Sequence, residues 1–240
     1  MNLSLNCNTV RCSWFFVPIL CVLLASCGGN DKQITVEFRL VEGSTDYSIG
    51  SSIMKGDTAV AFDLFHFYVS DFRVDDEILS QVLFVNTTDS TQHHYSFEYS
   101  GRGSSLSFGL GVTPTLNATD PTTYSVTHPL SSAYAMYWTW ASKYRFIKAE
   151  GRFNPSGILT DAATNSSIVW HTGTDALYQE KEFNASIRPG DHLIIELDVP
   201  MMLQGISLQQ DRFTHSSVDN IDVAQKVTNL ALQSFRLIVE

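Results

Sequence analysis

Beyond Cys27 the chain has no cysteine, although it carries four in all, at positions 7, 12, 21 and 27. A domain with no thiol pairs must take its stability from packing. Any metal it holds must be ligated by imidazole, thioether, carboxylate or aromatic groups rather than thiolate. Basic residues are also scarce, 15 Lys+Arg against 25 Asp+Glu, for a formal net charge of −10. Nucleic acid and anionic lipid surfaces both demand a basic footprint, so neither is expected as an electrostatic partner. Catalytic signatures are missing too. There is no phosphate-cradling glycine loop, no Gly-x-Ser-x-Gly elbow and no His-Glu-x-x-His helix. Nor is there a localisable carboxylate pair of the glycosidase kind, since Asp75-Asp76 read as solvated turn charges. The chain is therefore not expected to be an enzyme.

Long apolar runs are limited to one, Trp14 to Ala25, preceded by Arg11 and too short for a permanent membrane span. It ends Leu24-Ala25-Ser26-Cys27-Gly28-Gly29, small residues before a cysteine, which resembles a bacterial lipobox. That resemblance implies removal of residues 1–26 as a signal peptide, lipidation of Cys27 and a short tether over residues 27–32. It places the protein at the outer membrane, facing the periplasm or the outside. An ordinary secretory signal with a coincidental cysteine is the alternative. Cleavage leaves 240 − 26 = 214 residues and removes Arg11, so 14 basic residues face 25 acidic ones at a net charge of −11. That length suits one core, a single domain over residues 33–240.

Most of that domain alternates apolar and polar residues with the period of a strand. Ile34–Leu40 does so, as do Leu79–Val85, His94–Tyr99, Ser104–Val112, Tyr144–Phe153, Lys181–Ile187, Leu193–Val199 and the tail Phe235–Glu240. Ala61–Val74 is apolar on both sides, which predicts a central strand. Ser167–Trp170 leads into His171 at a predicted strand end, before the turn His171-Thr172-Gly173-Thr174. A helical spacing occurs only at Val223, Val227, Leu230 and Ala231. The pattern predicts a mostly all-β, single-domain antiparallel β-sandwich with one short C-terminal helix.

The densest chemistry lies in His128–Gly151, which holds Trp138, Trp140, Met136 and three tyrosines and follows the long irregular segment Thr113–Thr127. Loops of that length are often functional. Among the seven histidines, His93-His94 falls in a polar turn and His192 opens a strand. His66 sits mid-strand, where a satisfied buried ring competes with a ligand role. His128, His171 and His215 lie at loops or strand ends from which side chains can converge. Neutral imidazoles without thiolate suit copper or zinc, and Met136, Met201 and Met202 lean the chemistry toward copper(I).

The run from Met136 to Gly151 resembles the Met-x-Trp-x-Trp…Gly-Tyr-x-Phe-x-Lys-x-Glu-Gly signature of the MbnP-like family, with Met136, Tyr144, Lys148, Glu150 and Gly151 at signature positions. Phe65–Val74, Ser105–Val112, the His171-Thr172-Gly173-Thr174 turn and the stretch from Thr214 to Phe235 resemble further elements of that family. Two positions depart from it. Lys143 stands where the signature has glycine, and Thr174 replaces the second glycine of the histidine turn.

The resemblance implies a copper(I)-binding sandwich partnered by a dihaem cytochrome c peroxidase-like (MbnH-like) oxidase that converts a tryptophan to kynurenine. It makes Trp138 and Trp140 the candidates for modification and, with His171, His66 and His215, for metal binding. It also implies a TonB-dependent outer-membrane receptor as a further partner. The competing reading is a carbohydrate- or protein-binding lipoprotein that uses the tryptophan pair as an aromatic platform. Burial of a tryptophan beside histidines, against exposure in a groove, discriminates the two.

Overall fold

The computed structural model describes residues 32–138, 143–160, 164–216 and 220–240. The signal segment, Cys27 and Trp140 lie outside the described residues. In chain order the strands are β1 (Gln33–Glu42), β2 (Thr45–Asp46), β3 (Ile53–Lys55), β4 (Thr58–Val74), β5 (Glu77–Asn86), β6 (His94–Glu98) and β7 (Gly103–Leu110). They continue with β8 (Tyr137–Trp138), β9 (Lys143–Asn154), β10 (Ser166–Gly173), β11 (Gln179–Ile187), β12 (His192–Asp198), β13 (Phe213–Thr214) and β14 (Phe235–Val239). Among the described residues three α-helices interrupt them: α1 (Pro114–Asn117), α2 (Val199–Leu203) and α3 (Ile221–Ser234).

Two sheets face each other. The smaller has the order β14-β12-β1-β2, with β6 also on β1. The larger has the order β11-β7-β4-β9-β10-β13, with β3 and β5 on β4 and β8 on β9. The expected sandwich is present, mostly antiparallel. Two ladders, β1 with β12 and β10 with β13, run parallel. Their strands are distant in sequence, so no hairpin forces them to oppose. Alternation places Val36, Phe38, Leu193 and Ile195 of one sheet against Phe65, Phe67, Ile147 and Phe153 of the other, all buried in one cluster. Edge-to-face rings, such as Phe38 on Phe67 at 5.9 Å, knit the layers together. Burying each such phenylalanine contributes about 1.5–3 kcal/mol.

β4 is apolar on both faces because each face is covered. Its second face carries Tyr68, which joins Phe84, Tyr144, Phe146, Leu130 and Met136 in a smaller cluster under the segment between β7 and β8. That segment is pinned rather than loose. The Tyr68 hydroxyl donates to the Pro129 carbonyl at 3.0 Å and the Tyr144 hydroxyl to the Leu130 carbonyl at 3.1 Å. The buried Asn117 accepts from the Tyr144 amide at 3.1 Å and donates to Asp175 at 2.7 Å.

The sequence pattern missed α1 and α2. Strand β12 stops one residue short of the predicted Val199, because the Asp198 carboxylate accepts from the Met201 amide at 2.9 Å and Pro200 sits in the first turn of α2. The predicted late helix is α3, whose buried face includes Ala224, Val227 and Ala231.

Candidate metal centre

The site is built on β9 and β10. Register places His66 of β4 opposite Lys148 of β9, and Lys148 opposite His171 of β10, so the three side chains share one face of the larger sheet. Alternation then puts Glu150 on that face as well. Trp170, one residue before His171, points the other way into the core. The strand end predicted at His171 lies two residues further on, at Gly173.

Three elements converge on His171. β13 pairs in parallel with Val169 and Trp170, which delivers the next residue, His215, beside it. The two Nδ1 atoms are 3.0 Å apart and the ring centroids 4.8 Å. β8 pairs with the start of β9, Trp138 opposite Lys143, and lays the Trp138 ring edge-on to both imidazoles. Its centroid is 5.1 Å from that of His171 and 4.5 Å from that of His215. Phe213 closes the far side of His215 at 4.4 Å between centroids. Ser216, at φ 56°, turns the chain so that its hydroxyl donates to the His171 carbonyl at 3.1 Å.

Charge around the rings is set by Glu150 and Arg145. The His171 Nε2 lies 2.8 Å from a Glu150 carboxylate oxygen, which can only accept. In the neutral ring Nε2 therefore carries the proton, and Nδ1 presents its lone pair toward His215. Burial is the main reason the His171 pKa falls to about 4; Glu150 pulls it up, and Arg145 and His215 push it down. His215 is lowered as well, by burial first and then by Arg145. Both rings are therefore neutral at neutral pH, the form that ligates metal.

The Arg145 guanidinium carbon sits 3.8 Å from the Trp138 ring centroid, a cation on the indole face. Burial lowers the Arg145 pKa to about 10, which leaves it charged at neutral pH. One of its Nη groups donates to the Ala135 carbonyl, while its buried Nε has no protein partner.

Of the residues singled out from sequence, Trp138, His171 and His215 come together, and Trp140 lies outside the described residues. His66 is on the same face, two strands from His171, roughly 10 Å at the backbone. Its ring packs on Phe84 at 5.4 Å, its buried Nδ1 has no partner, and its pKa falls to about 4 through burial and then Lys148. The methionines do other work. Met136 is buried in the smaller cluster, Met202 in the main core, and Met201 is exposed on α2. His128 stacks on Tyr124 at 4.0 Å and accepts from the Leu130 amide.

The signature positions prove to be the frame of the site. Tyr144 anchors β9, Lys148 approaches Glu150 at 3.8 Å, and Glu150 orients His171. A side chain on Gly151 would meet the Ala61 carbonyl oxygen at 2.3 Å, so only glycine permits this approach of β9 to β4. Both departures from the signature fall on left-handed backbone, Lys143 at φ 63° and Thr174 at φ 88°. The roles of Glu150 and Arg145 were missed from sequence. For Glu150 a signal existed in its two-residue spacing from Lys148; for Arg145 there was none.

A mixed β-sandwich that lays an indole edge-on to a pair of neutral, adjacent imidazoles presents nitrogen donors of the kind that borderline metals take. The MbnP family model matches residues 31–222, and the chain belongs to the MbnP family. Among solved structures, MbnP from Methylosinus trichosporium is similar, at 14% identity and a TM-score of 0.47, over 73% of this chain and 78% of that one. Among curated proteins no relative matches.

Proposed function

We propose that this MbnP-family protein is a copper(I)-binding protein whose site is formed by His171, His215 and Trp138, the indole being matured to kynurenine by a dihaem peroxidase-like oxidase. The observation that carries this reading is the pair of imidazole Nδ1 atoms 3.0 Å apart beside Trp138, with the His171 tautomer set by Glu150. Two nitrogens bound to one ion at about 2 Å each lie no more than about 4 Å apart, so the pair fits a shared metal. A carboxylate behind a ligating imidazole is the usual arrangement that orients the ring and raises its basicity. Kynurenine would add an aromatic amine and a carbonyl where the indole now stands, completing a thiol-free ligand set.

Arg145 bears on the maturation. A cation on the indole face opposes removal of an electron from that ring. Trp138 is thereby shielded from casual oxidation and depends on a dedicated oxidant, which supports the dihaem partner. The lipobox supports export, anchoring through Cys27 and a place at the outer membrane, where such an oxidase and a TonB-dependent receptor would meet it. The function is binding, not catalysis.

The test is copper(I) titration of protein produced with and without its oxidase, alongside peptide mass analysis. Loss of one carbon and gain of one oxygen at Trp138, with copper uptake only in the oxidised protein, is expected. Oxidised protein that takes up no copper would refute the reading. The platform reading is disfavoured because Trp138 is enclosed by two imidazoles, a guanidinium and Phe213 around His215.

A further inference from the structure

A second group of metal-capable side chains lies on the outer face of the smaller sheet, remote in register from His171. Glu37 of β1 faces His94 of β6 directly across the ladder. The Glu37 residue is only 9% exposed, unusual for an acid on a sheet's outer face. Around it, Oε1 lies 3.3 Å from the His94 Nε2 and Oε2 lies 3.5 Å from the His192 Nε2. The donor atoms of Glu37, His93 and His94 all fall within 4.8 Å of one another. Glu37 and His93 also border one cleft.

Two details suit ligation. The His93 Nδ1 is 2.8 Å from the Asp89 carbonyl oxygen, which can only accept, so the neutral ring carries its proton there and keeps the Nε2 lone pair for another partner. Arg39 holds the Glu37 carboxylate through both oxygens, at 2.6 and 2.7 Å, and keeps it ionised. Each oxygen has a second lone pair, and on the Oε1 side that lone pair is where His94 approaches.

We propose that Glu37, His93 and His94, with His192 alongside, form a second metal site for a divalent ion of the zinc class. One carboxylate and two or three imidazoles, with no thiolate, is a ligand set for zinc(II) or copper(II) rather than copper(I). The site is independent of Trp138, of its oxidation and of copper(I).

The test is zinc(II) titration of the protein carrying His171→Ala and His215→Ala, so that the first centre cannot contribute. One equivalent of zinc is expected to bind, and adding His94→Ala or Glu37→Gln is expected to weaken it at least tenfold. His93→Ala, at a half-buried position, is expected to do the same. Circular dichroism of each variant reports folding separately. No zinc uptake, or uptake unchanged by His93→Ala and His94→Ala, would overturn the proposal.

Discussion

Trp170 and Trp138 stand on opposite faces of the same sheet, and the contrast between them separates stability from function. Trp170 is fully buried, tilted against Phe62 at 5.6 Å, and its indole N–H donates to the Asp211 carbonyl at 2.7 Å. Trp138 is half-buried, with imidazoles at its edge and a guanidinium on its face. One indole fills volume; the other is surrounded by chemistry. Side-chain alternation on β10 produces this division, since Trp170 and His171 are neighbours that point apart.

The sharpest way to break the contrast is to truncate each side. Trp170→Ala should cost about 3–5 kcal/mol of stability, measured by denaturant unfolding, because it leaves a large cavity and an unpaired carbonyl. Trp138→Ala should cost clearly less. On the site face, His171→Ala combined with His215→Ala should abolish copper(I) binding by the oxidised protein while the sandwich stays folded by circular dichroism. Glu150→Gln keeps the shape but replaces a carboxylate that can only accept. Copper(I) affinity should fall about 10–100-fold, the usual effect of removing an outer-sphere carboxylate.

Acid should act on the site face before it acts on the core. His171 titrates near 4 when folded because burial penalises its charged form, against 6.5 as its ordinary value. The unfolded chain therefore takes up that proton first. The stabilisation is complete above about pH 6.5 and is lost as pH falls from there toward 4. Its slope in that window is at most about 1.4 kcal/mol per pH unit. Unfolding midpoints measured from pH 7 to pH 4.5 should decline, and His171→Gln should flatten the decline.

The smallest expected effect concerns backbone. Thr174 is held at φ 88°, ψ 146°, a region essentially reserved for glycine. Thr174→Gly should raise stability by about 1 kcal/mol, or roughly 2–4 °C in melting temperature.

These two faces were not equally legible in the sequence. The core face follows from period-two alternation, which marked β1, β7, β9, β11 and β12 to within a few residues, and from two-sided apolarity, which marked β4. Two aspartates in β4 disturb that period. A register shift against β9 at Asp63 and another against β7 between Ser70 and Arg73, spanning Asp71 at φ 49°, keep Phe62, Phe65 and Phe72 all facing the core. On the site face, the histidines and Trp138 were singled out because of residue type and resemblance. Their convergence depends on β13 pairing in parallel with β10, a contact between residues more than forty positions apart. No local pattern encodes that. Glu37 with His93 and His94 was hidden for the same reason, since the pair of histidines reads as a polar turn until β6 lies against β1.

In the proposed copper site, Trp138, packed edge-on beside the adjacent His171 and His215, is the indole that becomes a ligand. The most direct measurement is the copper(I) affinity of Trp138→Phe and Trp140→Phe proteins, each produced with the oxidase and titrated against a competing chelator. Trp138→Phe should lose copper(I) binding and Trp140→Phe should retain it. Copper(I) binding that survives Trp138→Phe, or that disappears in Trp140→Phe alone, would contradict the account.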